Sequence, residues 1–161
     1  MALNHTRNTL GEKIRIGSVN QLNRGLFNGI DVQRQAKQAH WNVHGPNFIA
    51  LHLLFDEVYD AAVEWSDLCA ERIVALGGVA DGRVQTVAKK TELPPYKSEF
   101  KRGLDHAAEL AQALAAYGEI IRGLITESAE NLDATTSDLF TEISRSVDAH
   151  LWKVEAHLRG D

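Results

Sequence analysis

The sequence contains one cysteine, one methionine and three prolines among its 161 residues. A single cysteine excludes a disulfide framework and argues against a structural zinc cage, because both use several sulfur atoms. Few prolines, together with many alanines and leucines, favour helices. No apolar run approaches the roughly 20 residues that cross a bilayer, and the first residues do not resemble a signal peptide. We therefore expect one cytoplasmic domain over residues 1–161, with no membrane partner.

Positive charge is also scarce. Lysine and arginine number 17 against 22 acidic residues, which gives a formal net charge of −5. This balance argues against a generic nucleic-acid binder, since such proteins neutralise phosphates with basic side chains. Residues 1–12 are polar and lack periodicity, so we expect a flexible N-terminal tail. Arg7 lies in this tail, and Lys13 and Arg15 follow it, which leaves DNA contact open beside the simpler interpretation of a solvated terminus.

Apolar residues recur at spacings of three and four in four long segments, which predicts four long helices. The segments lie at about 18–39, at 47–76, between 104 and 125 and between 139 and 158, and the connection over 77–98 contains a short helix near 83–90. Gly45-Pro46 would stop the first helix, whose last turns reach Trp41. Thr135 or Asp138 would cap the fourth. The pattern predicts an all-α, ferritin-like four-helix bundle with a short extra helix in the long connection between helices 2 and 3.

The second predicted helix carries imidazole and carboxylate groups on one face. At roughly 100° per residue, His52, Asp56, Asp67 and Glu71 project at about 0°, 40°, 60° and 100° around the axis. The apolar positions occupy a separate arc at about 220–300° by the same arithmetic, and they are Leu51, Phe55, Val58, Trp65, Cys69, Ile73 and Leu76. Mixed imidazole and carboxylate ligands suit Fe(II), Mn(II) or Zn(II). The face therefore indicates a metal site.

The spacing of these groups restricts how one metal could use them. Asp56 and Asp67 are about 16 Å apart along the helix axis, so one centre cannot take both from one chain. Either there are two separate half-sites, or a second copy of the helix lies antiparallel about a two-fold axis near Ala61-Ala62. The second arrangement sets His52 and Asp56 against Asp67 and Glu71 of the partner subunit. The sequence contains no Glu-x-x-His, the motif of di-iron sites within one chain, so we favour the inter-subunit site.

Four segments resemble the Dps family (DNA-binding proteins from starved cells, or mini-ferritins): KQAHWNVHGPNF, LHLLFDE, DLCAERIVALGG and LWKVEAHL. The resemblance covers about residues 18–158 and is most specific between Lys37 and Gly78. It implies a homo-oligomer, a hollow dodecamer of 23 symmetry. Such a shell is expected to act as a ferroxidase that oxidises Fe(II) to Fe(III), preferentially with hydrogen peroxide. It stores the ferric iron and protects DNA from oxidative damage in a stress response.

The resemblance also assigns the iron ligands. They fall on His40 in KQAHWN and on His52 and Asp56 in LHLLFD, and the partner subunit would supply Asp67 and Glu71 from DLCAER. All five positions hold the expected residue types. Helix geometry had already indicated four of them, and the resemblance adds His40. Two alternatives stay open: a nucleoid-associated shell that binds and compacts DNA with secondary metal chemistry, and a helical binding module that uses metal only as a structural clip.

Several other polar and aromatic residues have two interpretations. Lys37, one turn before His40, would support the site from the second shell of contacts, and Trp41 would either pack or donate an electron. His44 would cap the first helix or bind metal. A ring of acidic residues near the third-to-fourth turn would attract cations to a three-fold pore, unless these are simply solvated helix ends: Glu127, Glu130, Asp133 and Asp138. We expect four histidines at the surface, His5, His106, His150 and His157, and two tryptophans in the core or an interface, Trp65 and Trp152.

Overall fold

The computed structural model describes residues 2–97, 99 and 102–159, which form five helices and no strand. The helices are α1 Glu12–Asn42, α2 Phe48–Ala75, α3 Val84–Lys90, α4 Gly103–Glu130 and α5 Ala134–Ala156. α1 packs on α2 and α4 packs on α5, while α3 lies on α1 within the connection between α2 and α4. This arrangement confirms the predicted four-helix bundle with a short extra helix. None of the described helices combines the length and hydropathy needed to cross a membrane.

The stripe of apolar residues predicted on α2 forms one side of the core. All seven predicted positions are buried, from Leu51 to Leu76. The Trp65 ring stacks on Tyr117 of α4, with 5.7 Å between ring centroids. The Cys69 thiol is fully buried, and burial raises its pKa to about 12. Each large apolar side chain removed from water in this way contributes roughly 1.5–3 kcal/mol to folding, so this stripe fixes which face of α2 points outward.

α1 begins at Glu12 instead of near residue 18. The sequence hides this start because Gly17 interrupts the apolar pattern. In the structure Gly17 makes room for the side chain of Asn131, which a Cβ at position 17 would approach to 2.6 Å. Asn131 donates hydrogen bonds to the Ile14 carbonyl at 2.9 Å and to the Ser18 hydroxyl at 3.1 Å. The C-terminal end of α4 therefore holds the first turns of α1 in place.

Residues 2–11, which we expected to form a flexible tail, lie against the C-terminal end of α2. The Asn4 N–H donates to the Gly77 carbonyl at 2.7 Å, and the Thr6 hydroxyl donates to the Ala75 carbonyl at 3.4 Å. Leu3 and Leu10 pack against the core. These contacts give the segment a defined position, which its lack of periodicity did not predict.

The turn between α4 and α5 is built around a buried carboxylate. Asp133 caps α5 by accepting from the Thr136 N–H at 3.1 Å. It also accepts from the Ser18 hydroxyl at 2.7 Å and from the Arg72 guanidinium at 3.0 Å. The prediction that Thr135 or Asp138 caps this helix was wrong. Because Asp133 is engaged inside the protein, it also does not belong with the exposed acidic residues of this turn.

One further sequence-based expectation was wrong. His106, expected at the surface, is only 3% exposed, and its Nδ1 lies 2.6 Å from the Tyr96 hydroxyl. Trp65 is buried in the core as expected, whereas Trp152 is exposed on the subunit, so that only its expected position in an interface stays a prediction. His5 is exposed, and His150 and His157 are half-buried.

Candidate metal site

The junction of α1 and α2 brings two histidines together. Gly45 takes a positive φ of 97° in the loop, which lets α2 return beside α1. His40 lies in the last turn of α1 and His52 near the start of α2, and their rings stack with centroids 3.7 Å apart. The ring of Phe48 lies 5.0 Å from that of His52. Stacking and this apolar neighbour hold both imidazoles in place.

Each of the two imidazoles is hydrogen-bonded to the other residue's backbone. His40 Nδ1 lies 2.9 Å from the His52 carbonyl, and His52 Nδ1 lies 3.0 Å from the His40 carbonyl. A carbonyl can only accept, so both Nδ1 atoms are assigned as donors. In the neutral form of a ring held in this way, the lone pair lies on Nε2. A histidine whose Nδ1–H is held in this way presents Nε2 to a metal.

Asp56 adds a carboxylate one turn along α2 from His52. Its Oδ1 lies 3.3 Å from His40 Nδ1 and forms an ion pair with Lys37. The hydrogen bond from Lys37 lowers the pKa of Asp56 and outweighs the opposite effect of partial burial, so the carboxylate is ionised at neutral pH. Lys37 thus lies beside the candidate ligand Asp56, and its role in supporting a metal site stays a prediction. Two imidazoles and a carboxylate are a donor set that fits Fe(II), Mn(II) or Zn(II).

Asp67 and Glu71 lie farther along α2, exposed on its outer side, and the chain does not bring them to the histidine pair. Within the described part of the chain, no three histidine, cysteine or acidic side chains are arranged as a closed metal-binding group, and this includes His40, His52 and Asp56. One subunit therefore carries two separate groups of candidate ligands, neither of which is closed. Ala62, expected at a helix crossing, is fully buried inside its own chain, so only Ala61 is left to contact a partner.

Sequence reasoning missed two side chains near the site, Tyr59 and Arg34. The centroid of the Tyr59 ring lies 4.5 Å from Lys37 Nζ and 5.6 Å from Arg34 Cζ. The signal was present, since Tyr59 follows Asp56 by three residues and Arg34 precedes Lys37 by three, which places each pair on one helix face.

The predicted capping role of His44 is confirmed, because its Nδ1 lies 3.1 Å from the Asn42 carbonyl. Trp41, next to His40, is 68% exposed.

Comparison with known proteins identifies the family. A model of the ferritin-like domain matches residues 19–160. The chain is 38% identical over 159 residues to a DNA protection during starvation protein from Agrobacterium fabrum, with 99% of this chain and 98% of that protein covered. It superposes on Dps from Microbacterium arborescens in the high iron form with a TM-score of 0.86 and 34% identity, covering 98% and 99% of the two chains. The TM-score to DpsC from Streptomyces coelicolor is 0.93 at 27% identity, with coverage of 99% and 94%. The chain therefore belongs to the ferritin-like proteins and, among them, to the Dps family.

Proposed function

We propose that this protein is a ferroxidase that binds Fe(II) at sites shared by two subunits and stores the oxidised iron inside a shell of twelve subunits with 23 symmetry. The observation that carries the proposal is the stacked pair His40 and His52, with each Nδ1 held by a backbone carbonyl, beside the ionised Asp56. Membership of the Dps family supports an iron-related function in the protection of DNA. Iron is the substrate of this reaction.

The order of ligands along α2 supports a shared site. In an isologous contact, residue i of one subunit meets residue j of the other, and j meets i. His52 and Glu71 lie at equal distances from the Ala61-Ala62 midpoint, and so do Asp56 and Asp67. An antiparallel pair of α2 helices would therefore form two equivalent sites. Each would combine His40, His52 and Asp56 with the two acidic residues of the partner subunit.

Exposed apolar residues on the same face of α2 follow this symmetry. Ile49 is 62% exposed and Val74 is 61% exposed, and they too lie at equal distances from the midpoint. Leu53 and Val63 add further exposed apolar surface between them. Contiguous exposed apolar surface marks interaction sites. Pairing of two α2 faces would set Ile49 against Val74 of the partner subunit and remove both from water.

The chemistry follows from the charges of the site. Unprotonated imidazoles and carboxylates bind Fe(II), and added carboxylates favour the higher charge of Fe(III). Hydrogen peroxide accepts two electrons, one from each of two Fe(II) ions, and with two protons it becomes two molecules of water. No one-electron reduction of peroxide occurs, so no hydroxyl radical is released. Removing Fe(II) and peroxide in one reaction would protect DNA without contact between protein and DNA.

A shell that binds and compacts DNA is the second candidate. The names of several relatives refer to DNA protection. In this chain the expected DNA contact was a mobile basic tail, yet Asn4 and Thr6 are hydrogen-bonded to the end of α2. The guanidinium of Arg15 donates to the Leu10 and Leu76 carbonyls. With these groups engaged inside the subunit, the iron reaction is the better supported function. A gel shift at low salt that weakens steeply as salt rises would instead support DNA binding.

The iron reaction is tested with the double variant His52→Ala/Asp56→Ala. We expect it to lose rapid peroxide-dependent oxidation of Fe(II) while retaining the mass of the assembly in native mass spectrometry. The matched control is His5→Ala/Glu142→Ala, which removes an exposed histidine of the segment before α1 and an exposed carboxylate of α5. Oxidation by the double variant at the wild-type rate would refute the site assignment. A wild-type mass other than that of twelve subunits would refute the dodecamer.

Shared sites are tested by mixing two inactive variants. His52→Ala/Asp56→Ala loses one half of each site and Asp67→Ala/Glu71→Ala loses the other. After dissociation and reassembly from equal amounts, half of the subunit pairs are mixed, and each mixed pair has one intact site, so about a quarter of all sites should be active. Activity no higher than that of either variant alone would show that the two ligand sets do not meet between subunits.

A further inference from the structure

Beside the proposed iron site, a lysine ammonium lies between a carboxylate and an aromatic ring. Lys37 Nζ forms an ion pair with Asp56 Oδ1 and lies 4.5 Å from the centroid of the Tyr59 ring. The electron-rich face of an aromatic ring attracts a cation at this distance. Asp56 and Tyr59 project from the same side of α2 one turn apart, and Lys37 reaches them from α1. The ammonium therefore has two favourable partners, and both are fixed to one helix.

The stem of Lys37 is also restrained. Its side chain is mostly buried. The guanidinium carbon of Arg34, one turn earlier on α1, lies 5.6 Å from the centroid of the same Tyr59 ring, so this ring has a cation on each of two neighbouring turns of α1. A free lysine side chain carries about 2 kcal/mol of rotamer entropy. Packing and the ring contact offset this entropy, so the ammonium stays beside Asp56 where an exposed lysine would move into water.

A metal ion that binds Asp56 must compete with this ammonium for the same carboxylate. Once the metal is bound, two positive charges lie close together, and the repulsion is relieved only if Lys37 can move away. A residue that holds Lys37 in place therefore weakens metal binding. Its removal would let the side chain swing into solvent when the metal arrives.

We propose that Tyr59 is a positioning residue that clamps the Lys37 ammonium against Asp56 and thereby lowers the affinity of the site for divalent metals. The inference rests on the proposed function, since it takes Asp56 as an iron ligand. In the empty site the clamp neutralises the charge of Asp56, whose other polar neighbour is His40 Nδ1 at 3.3 Å. In the occupied site the same clamp opposes the metal, so that binding is reversible.

The test uses Co(II), which is followed by its visible absorption in the assembled protein without peroxide. We expect Tyr59→Leu to tighten Co(II) binding by roughly twofold to tenfold, the range that corresponds to a cation–π contact. Lys37→Met should tighten it at least as much. Tyr59→Leu made in the Lys37→Met background should have no further effect, because the ammonium that Tyr59 positions beside Asp56 is then absent. Tyr59→Phe keeps the ring and should retain the wild-type affinity.

Two results would overturn the proposed role of Tyr59: an unchanged Co(II) affinity in Tyr59→Leu, or an equal change in the wild-type and Lys37→Met backgrounds. An equal change would mean that Tyr59 has a structural role that does not depend on Lys37. Loss of Co(II) binding in His52→Ala shows separately that the metal site is real. Wild-type protein that binds no Co(II), or binds it equally well after His52→Ala, would refute the proposed function and the clamp with it. Native mass and thermal melting check assembly, and Tyr59→Met replaces Tyr59→Leu if the latter does not assemble.

Discussion

His40 and His52 fix each other's tautomer, since the Nδ1 of each donates to the backbone carbonyl of the other at 2.9 and 3.0 Å. Because the acceptors are carbonyls, replacing one side chain by alanine removes one proposed ligand and leaves the hydrogen bond of the other ring in place. We expect His40→Ala and His52→Ala each to lower the affinity for Zn(II) by at least about tenfold, measured by isothermal titration calorimetry. His5→Ala, at an exposed position, should leave the affinity unchanged. An unaltered affinity in either site variant would exclude that histidine as a ligand.

Leu132 has a positive φ of 63° at the C-terminal end of α4, where glycine or asparagine is usual. Its side chain is 75% exposed, so it contributes little burial within the subunit. Leu132→Gly relieves the backbone strain and should stabilise the subunit by about 1 kcal/mol, which raises the melting temperature by roughly 2–4 °C for a chain of this size. Leu132→Ala keeps the strain and should give no such rise. A lower melting temperature in Leu132→Gly would show that the side chain packs in the assembly.

Gly77 and Gly45 both have a positive φ, 84° and 97°, but different surroundings. A Cβ at Gly77 would lie 2.5 Å from the Asn4 carbonyl oxygen, whereas a Cβ at Gly45 meets nothing within 4 Å. Each alanine substitution costs roughly 1–2 kcal/mol from backbone strain. Only Gly77→Ala should also displace residues 2–11, so that trypsin cleaves faster after Arg7 than in Gly45→Ala. Mass spectrometry of a short digest measures this, and equal cleavage in the two variants would contradict it.

Asp133 makes the folding stability of the protein depend on pH. Burial acts to raise its pKa, but hydrogen bonds from Thr136 and Ser18 and the charge of Arg72 outweigh burial and lower the pKa. A carboxyl with a lowered folded pKa stabilises the protein above its unfolded pKa of about 3.9, and this stabilisation is lost as the pH falls through the folded pKa. Asp133→Asn should therefore destabilise the protein by roughly 1–3 kcal/mol at pH 7.

The difference in melting temperature between wild type and Asp133→Asn should narrow below about pH 4. Asp138→Asn, at an exposed position on the same helix, serves as the control and should differ little from wild type at either pH. A difference between wild type and Asp133→Asn that stays constant as acid is added would show that the carboxyl does not titrate in this range.

Much of α2 could be predicted because its pattern is local. The buried apolar stripe and the separate face with the imidazole and carboxylate groups both follow from a period of 3.6 residues, and the structure has both. His40 could not be placed by spacing, since it lies on α1 and reaches His52 only through the Gly45 turn. Family resemblance placed it there. The shared site with Asp67 and Glu71 stays a prediction.

The remaining features depend on partners far away in the sequence. The N-terminal segment is held through the backbone of Asn4 and Gly77, which leaves no mark in residue types. Asp133 rather than Thr135 caps α5 because Ser18 and Arg72 converge on it. Composition and periodicity report on residues that are close together in the sequence. The contacts described here join distant segments, so these two signals could not predict them.

The complete burial of Cys69 bears on the proposed reaction with peroxide. Burial raises the pKa of its thiol to about 12, so the thiol stays protonated at neutral pH. Thiolate is the form that peroxides convert to sulfenic acid and that exchanges with disulfides. If peroxide is the co-substrate, as proposed, the buried Cys69 thiol is withheld from it. Cys69 is the one cysteine of the sequence, so neighbouring molecules have no accessible cysteine through which to cross-link.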